Sequence, residues 1–324
     1  MNLLNKIKDV WKNNDIDFEK NLDRWLNALN CGAQHFRLAK KQFHRWGSLK
    51  AYVSVSKSKS SAKSLFSIRF HGQEVANLIV ENKEVYLDIN KLRVSRNIKW
   101  FEDFPLEAGH YLWRGAQAKK FRTYFNDLAH KYGGKPDVRS VEHRVESKFI
   151  TEMTKGSKKF GIKNLKILPV VIADKFPMQV PLPISANTGK PQPRTGYIDI
   201  LARHRLKSNK TNLSVWELKK PGSYQPAASQ AYIYAATLLH IIRHSKRGPE
   251  WYRLFGFKSK IPKSLEIEAV VAIDRSQEKK YEKERANIEK TSPLKIGNDR
   301  IKLCVAYYTE GPDTITLEKD PFIE

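Results

Sequence analysis

The sequence predicts an α/β fold, with a C-terminal αβββαβ core (a mixed sheet flanked by helices) behind a basic α+β N-terminal part. Three observations carry this. Apolar residues recur at helical spacing over 137–155 and 227–244. Strand-sized apolar runs fall at 166–173, 196–203, 212–218 and 265–273. A helix crossing from Leu218 to the strand at Leu265 suits a mixed sheet covered by helices.

Residues 2–30 read as one or two amphipathic helices, with Leu4, Ile7, Trp11, Leu22, Trp25, Leu26 and Leu29 on the apolar face. Strand alternation follows at Ala51–Val55, Leu65–His71, Glu74–Val80 and Glu84–Ile89, with turn chemistry at His71-Gly72-Gln73. A Ser/Lys-rich loop fills 56–64, and residues 110–131 read as a helix with Phe121, Tyr124, Phe125 and Leu128 inward. Gly133-Gly134-Lys135-Pro136 is the clearest break, and it predicts two domains, 1–132 and 133–324. The second opens with a helix whose stripe is Val138, Val141, Val145, Phe149 and Met153, ended by Gly156. After the strand at 166–173 comes a Pro-rich loop, 176–195. The strands at 196–203 and 212–218 are joined by a polar turn around 207–210. The 227–244 helix, the 265–273 strand, a charged helix at 277–290 and a strand at 301–309 complete the chain.

Composition limits the function classes. The 324 residues hold 59 Lys+Arg against 34 Asp+Glu, a net charge of +25. The excess is +12 over 1–135 and +13 over 136–324, so it is a broad basic surface and not a tail. A polyanion, nucleic acid first, is the expected partner. Cys31 and Cys304 alone exclude a disulfide scaffold and a four-cysteine zinc site. With no secretory h-region and no apolar run near the ~20 residues of a membrane span, the expectation is a soluble cytoplasmic chain without membrane contact. No Gly-Lys-Ser/Thr phosphate loop is present, which argues against an ATP-driven motor.

One segment carries chemistry. If 196–203 and 212–218 form an antiparallel hairpin, its centre falls near Ser208. Asp199 then lies nine residues before that centre and Glu217 nine after, as cross-strand neighbours. Strand period two sets Glu217 and Lys219 on one face. Two carboxylates side by side call for a cation. Mg²⁺ suits them, because it takes one or two carboxylates and leaves positions for water and phosphate.

This Asp199…Glu217-Leu218-Lys219 pattern resembles the PD-(D/E)XK nuclease superfamily, although Ile198 stands where the family name has proline. Gln230-Ala-Tyr-Ile-Tyr234 is similar to the Gln-x-x-x-Tyr motif of RecB-like nucleases. The resemblance covers roughly 137–275. It implies a Mg²⁺-dependent deoxyribonuclease, with Mn²⁺ as a substitute, acting in defence, restriction or repair. Asp199, Glu217 and the Leu218 carbonyl would be metal ligands, and Lys219 would orient the attacking water. Glu146 on the preceding helix, with Glu142 as a competitor, and Gln230 would complete the site. The alternative is a nucleic-acid-binding or assembly protein without turnover. A homo-oligomer or protein partner stays open.

Overall fold

A computed structural model of the chain describes residues 3–32, 35, 37–38, 49–55, 64–90, 104–132, 140–156, 158–173, 175–223, 226–289 and 293–323. The architecture is mixed α/β. One long helix, α1 (Leu3–Cys31), opens the chain. Strands β1 (Leu49–Val55), β2 (Ser64–Phe70), β3 (Gln73–Glu81), β4 (Glu84–Ile89) and β5 (Gly109–Leu112) form an antiparallel sheet in sequence order. Helix α2 (Ala116–Tyr132) follows. The helix expected from residue 110 thus starts later, because residues 109–112 pair with β4 as an edge strand. The loop at 56–63 and the predicted boundary at 133–136 lie outside the described residues.

Helix α3 (Val141–Thr154) begins the second half, with Ser140 as its N-cap: the hydroxyl accepts from the His143 amide at 3.3 Å. Short strands β6 (Lys158–Lys159), β7 (Ile162–Lys163), β8 (Ile167–Pro169), β9 (Val171–Ile172), β10 (Phe176–Pro177), β11 (Val180–Leu182) and β12 (Gly196–Ile198) lead into β13 (Ile200–Arg205) and β14 (Thr211–Leu218). Then come α4 (Ala227–His244), α5 (Gly248–Leu254), β15 (Glu266–Asp274), α6 (Glu278–Glu289), β16 (Leu294–Ile296), β17 (Asp299–Glu310) and β18 (Ile315–Leu317).

The main sheet runs β16-β17-β15-β14-β13-β8, with β18 on β17. It is mixed: β14, β15 and β17 are parallel neighbours, while β13 is antiparallel to β14 and β8. Helix α4 covers one face and α3 the other. The Pro-rich segment read as a loop contains two strands. β11 pairs with β12, Pro181 opposite Tyr197, in a two-stranded ribbon whose free edge tolerates proline.

Two apolar clusters divide the interior. Under α3, Phe149 packs on Trp216 and Tyr308 at ring distances of 5.8 and 5.3 Å. The other cluster runs unbroken from Trp11, Leu22 and Trp25 of α1 through Phe66, Ile68 and Phe70 of β2 to Leu238 of α4 and Val271 of β15. Trp11, Trp25 and Trp113 are therefore core residues. Trp46 and Trp100 lie outside the described residues. The two halves also meet through polar contacts. The Gln73 amide donates to the Ser140 carbonyl at 2.8 Å and accepts from the Ser140 N–H at 3.2 Å. Lys50 donates to the Ser147 carbonyl at 3.0 Å. Among the described residues, no helix is long and apolar enough to cross a membrane.

Candidate active site

The β13–β14 ladder pairs Arg205 with Thr211 and ends with Ile200 opposite Trp216. One step further along that register, Asp199 stands level with Glu217. Asp199 sits at a bend between β12 and β13. Its carboxylate accepts from the Leu218 N–H at 2.8 Å, which ties it to the segment carrying Glu217. Lys219 donates to Glu217 Oε1 at 2.7 Å, while Glu217 Oε2 is buried with no hydrogen-bond partner. Strand alternation thus sets Glu217 and Lys219 together, and the backbone fixes Lys219: its N–H donates to the Ala272 carbonyl, and its carbonyl accepts from the Tyr308 hydroxyl at 2.7 Å.

The electrostatics follow from burial. Desolvation pushes Asp199 well above the ordinary carboxylate range, and the negative charges of Glu217 and Glu146 push it further. Burial lifts Glu217 to about 7 against the opposing pull of Lys219. Burial disfavours the Lys219 ammonium, yet the neighbouring Glu217 and Asp199 carry its pKa upward overall. The result is a buried acidic focus with one paired ammonium in a strongly basic chain.

Gln230, in the first turn of α4, is 6% exposed, and its amide oxygen has no hydrogen-bond partner. Tyr234 lies one turn on. Its hydroxyl donates to Asn187 Oδ1 at 3.2 Å and accepts from the Ala186 N–H at 3.3 Å. Burial raises it to about 12, with Glu217 and Asp199 contributing. Close packing holds this wall against β12: a Cβ on Gly196 would lie 2.6 Å from the Ile184 carbonyl oxygen and 3.0 Å from the Tyr234 ring.

Glu146 projects from α3 near enough for its charge to act on Asp199, but its carboxylate is engaged. Arg69 of β2 donates to Glu146 Oε1 at 3.4 Å and to Gln179 Oε1 at 3.1 Å, with its guanidinium 4.3 Å over the Tyr52 ring. Sequence reasoning missed Arg69, Tyr52 and Gln179. Alternation along β2 reads Ser67 and Arg69 as a solvent face, whereas both are buried beside α3.

Among the described residues, no group of three or more His, Cys, Asp and Glu side chains is arranged to hold a metal ion. The smaller donor set still fits a divalent cation. The Glu217 charge raises Asp199, burial raises Glu217 itself, and Glu217 Oε2 and Gln230 Oε1 are buried acceptors without a donor. Glu146 fits only at the margin, since Arg69 already neutralises it. No family model, curated protein or solved structure matches the chain.

Proposed function

We propose that the chain is a Mg²⁺-dependent nuclease that hydrolyses phosphodiester bonds of DNA on a PD-(D/E)XK-type core, with Mn²⁺ as a substitute. The observation that carries this reading is the levelling of Asp199 with Glu217 on one hairpin, with Lys219 bonded to Glu217, in a chain of net charge +25. Asp199, Glu217 and the Leu218 carbonyl would hold the ion. When bound, Mg²⁺ would acidify a water and neutralise charge on the phosphate. Lys219, kept protonated by Glu217, orients the attacking water and stabilises the charge that grows on the phosphate oxygens. The Leu218 N–H fixes the Asp199 carboxylate, and the free amide oxygen of Gln230 accepts from a water at the site. Such an enzyme suits defence, restriction or repair in the cytoplasm.

A second reading, binding without turnover, draws on the ion pairs Glu146–Arg69 and Glu217–Lys219, which already compensate two of the carboxylates. One comparison separates the two. Wild type, Asp199→Ala and Lys219→Ala are incubated with linear and closed-circular DNA in Mg²⁺ or Ca²⁺. The enzyme predicts cleavage by wild type in Mg²⁺ alone, with binding retained by Lys219→Ala. Equal cleavage by all three proteins refutes the site, and binding without cutting, even in Mn²⁺, selects the second reading. Cutting of the circle distinguishes endonuclease from exonuclease.

A further inference from the structure

At the far end of β13 from Asp199 lies a cavity of about 530 Å³, within the size range of small-molecule sites. Lys159, Lys166, Arg203 and Arg205 supply its charge, and no described lining residue is acidic. Its apolar wall includes Leu165, 4% exposed, and Leu168, 49% exposed.

Three of the four cations are held in place by hydrogen bonds. Arg203 pairs with Leu168 across the β13–β8 ladder, so the two side chains share a face. Its Nη1 donates to the Gly256 carbonyl at 3.2 Å, and its Nε is buried with no hydrogen-bond partner. Gly256, at φ +94°, leaves room for the guanidinium: a Cβ there would lie 2.3 Å from Nη1. Arg205 is steadied by Asn209 Oδ1 at 3.1 Å. Lys159 is buried and donates to the Met153 carbonyl, and burial holds its pKa below the ordinary lysine range. Among the described residues none of the four cations has an acidic partner. Lys159 is buried and Arg203 half-buried, and cations so placed without a counter-charge favour an anion, while the exposed Lys166 and Arg205 add positive charge at the mouth. Several together match a phosphate better than a single carboxylate, and the apolar wall adds a surface for a flat ring.

We infer that this cavity is a nucleotide site, taking a phosphate on Arg203, Arg205 and Lys166 and a base against the Leu165–Leu168 wall. It is separate from the Asp199–Glu217 focus. Asp199 and Arg203 are four positions apart along the chain, roughly 13 Å at about 3.3 Å per residue. The site does not depend on the nuclease reading. The nucleotide is either free or a unit of a strand.

Calorimetry on the full chain in EDTA tests this, with deoxyadenosine monophosphate, deoxyadenosine, inorganic phosphate, octanoate and a single-stranded 12-mer as titrants. Lys166 and Arg205 are exposed, so Lys166→Ala/Arg205→Ala keeps the fold, and Arg203→Gln is a second variant. The expected result is one-to-one binding of the monophosphate, at least tenfold weaker in both variants and unchanged in Asp199→Ala. Deoxyadenosine and phosphate alone should each bind at least tenfold more weakly. Monophosphate binding marks a free-nucleotide site; a tenfold loss seen only with the 12-mer marks a strand site. Equal affinity in wild type and both variants, loss in Asp199→Ala, or preference for octanoate or bare phosphate would overturn the inference.

Discussion

Arg69 reaches from the N-terminal sheet to Glu146 on α3, Nη1 to Oε1 at 3.4 Å, with both side chains less than a tenth exposed. The contact joins residues 77 positions apart and brings the N-terminal sheet to the edge of the acidic focus. Removing one partner of a buried pair strands the other charge, at about 3–5 kcal/mol. Arg69→Met should therefore lower the urea midpoint strongly. Adding Glu146→Gln in that background should recover part of the loss, which a double-mutant cycle would read out as coupling.

Gly72 and Gly222 form a matched pair. Both adopt left-handed backbone, φ +84° and +85°. A Cβ on Gly222 meets nothing within 4 Å, whereas one on Gly72 would lie 1.8 Å from the His143 carbonyl oxygen. Gly222→Ala should cost about 1 kcal/mol. Gly72→Ala should cost about 3 kcal/mol or more, because the β2–β3 turn can no longer seat on α3. Chemical denaturation of the two variants measures the difference.

Glu217 gives the metal-free chain an inverted pH response. Its pKa rises from the ordinary 4.5 to about 7 on folding, mainly through burial. Below the lower value both states are protonated, and the contribution to stability is fully present. As pH rises through the window the unfolded chain releases its proton first, so stability is lost by about pH 7. In EDTA, the wild-type unfolding temperature should fall between pH 5 and 8 more steeply than that of Glu217→Gln. At pH 8 the variant should be the more stable protein in EDTA, and with Mg²⁺ restored it should not cleave DNA that wild type cleaves.

If Mg²⁺ binds the folded chain at Asp199 and Glu217, millimolar Mg²⁺ should raise the wild-type unfolding temperature at pH 8 through mass action. The same addition should leave Asp199→Ala unmoved in differential scanning fluorimetry. A wild type equally indifferent to Mg²⁺ would count against the ligand set.

Hairpin symmetry made the centre of the site legible. The turn around 207–210 and two strand-period runs fix the register, and Asp199 and Glu217 come level without any tertiary information. Helix α4 was equally clear, since its apolar spacing runs from 227 to 244, the bounds it has in the fold. What escaped was decided across long separations. Arg69 lies on the polar side of an alternating strand, a pattern that signals solvent unless a helix covers it, as α3 does here. The engagement of Glu146 followed the same hidden contact. The strands within the Pro-rich segment exist because β10 finds β9 and β11 finds β12, pairings that local propensity does not encode.

The apolar cluster that passes from α1 through the N-terminal sheet into α4 and β15 bears on how this chain can be handled. Cutting at the glycine-rich break would bare the flank of α4 and take away the Gln73 amide that satisfies both backbone groups of Ser140. A fragment beginning at residue 133 should therefore aggregate when expressed alone. Swapping either half for that of another protein would need a matching seam, because the two parts are folded as halves of one interior.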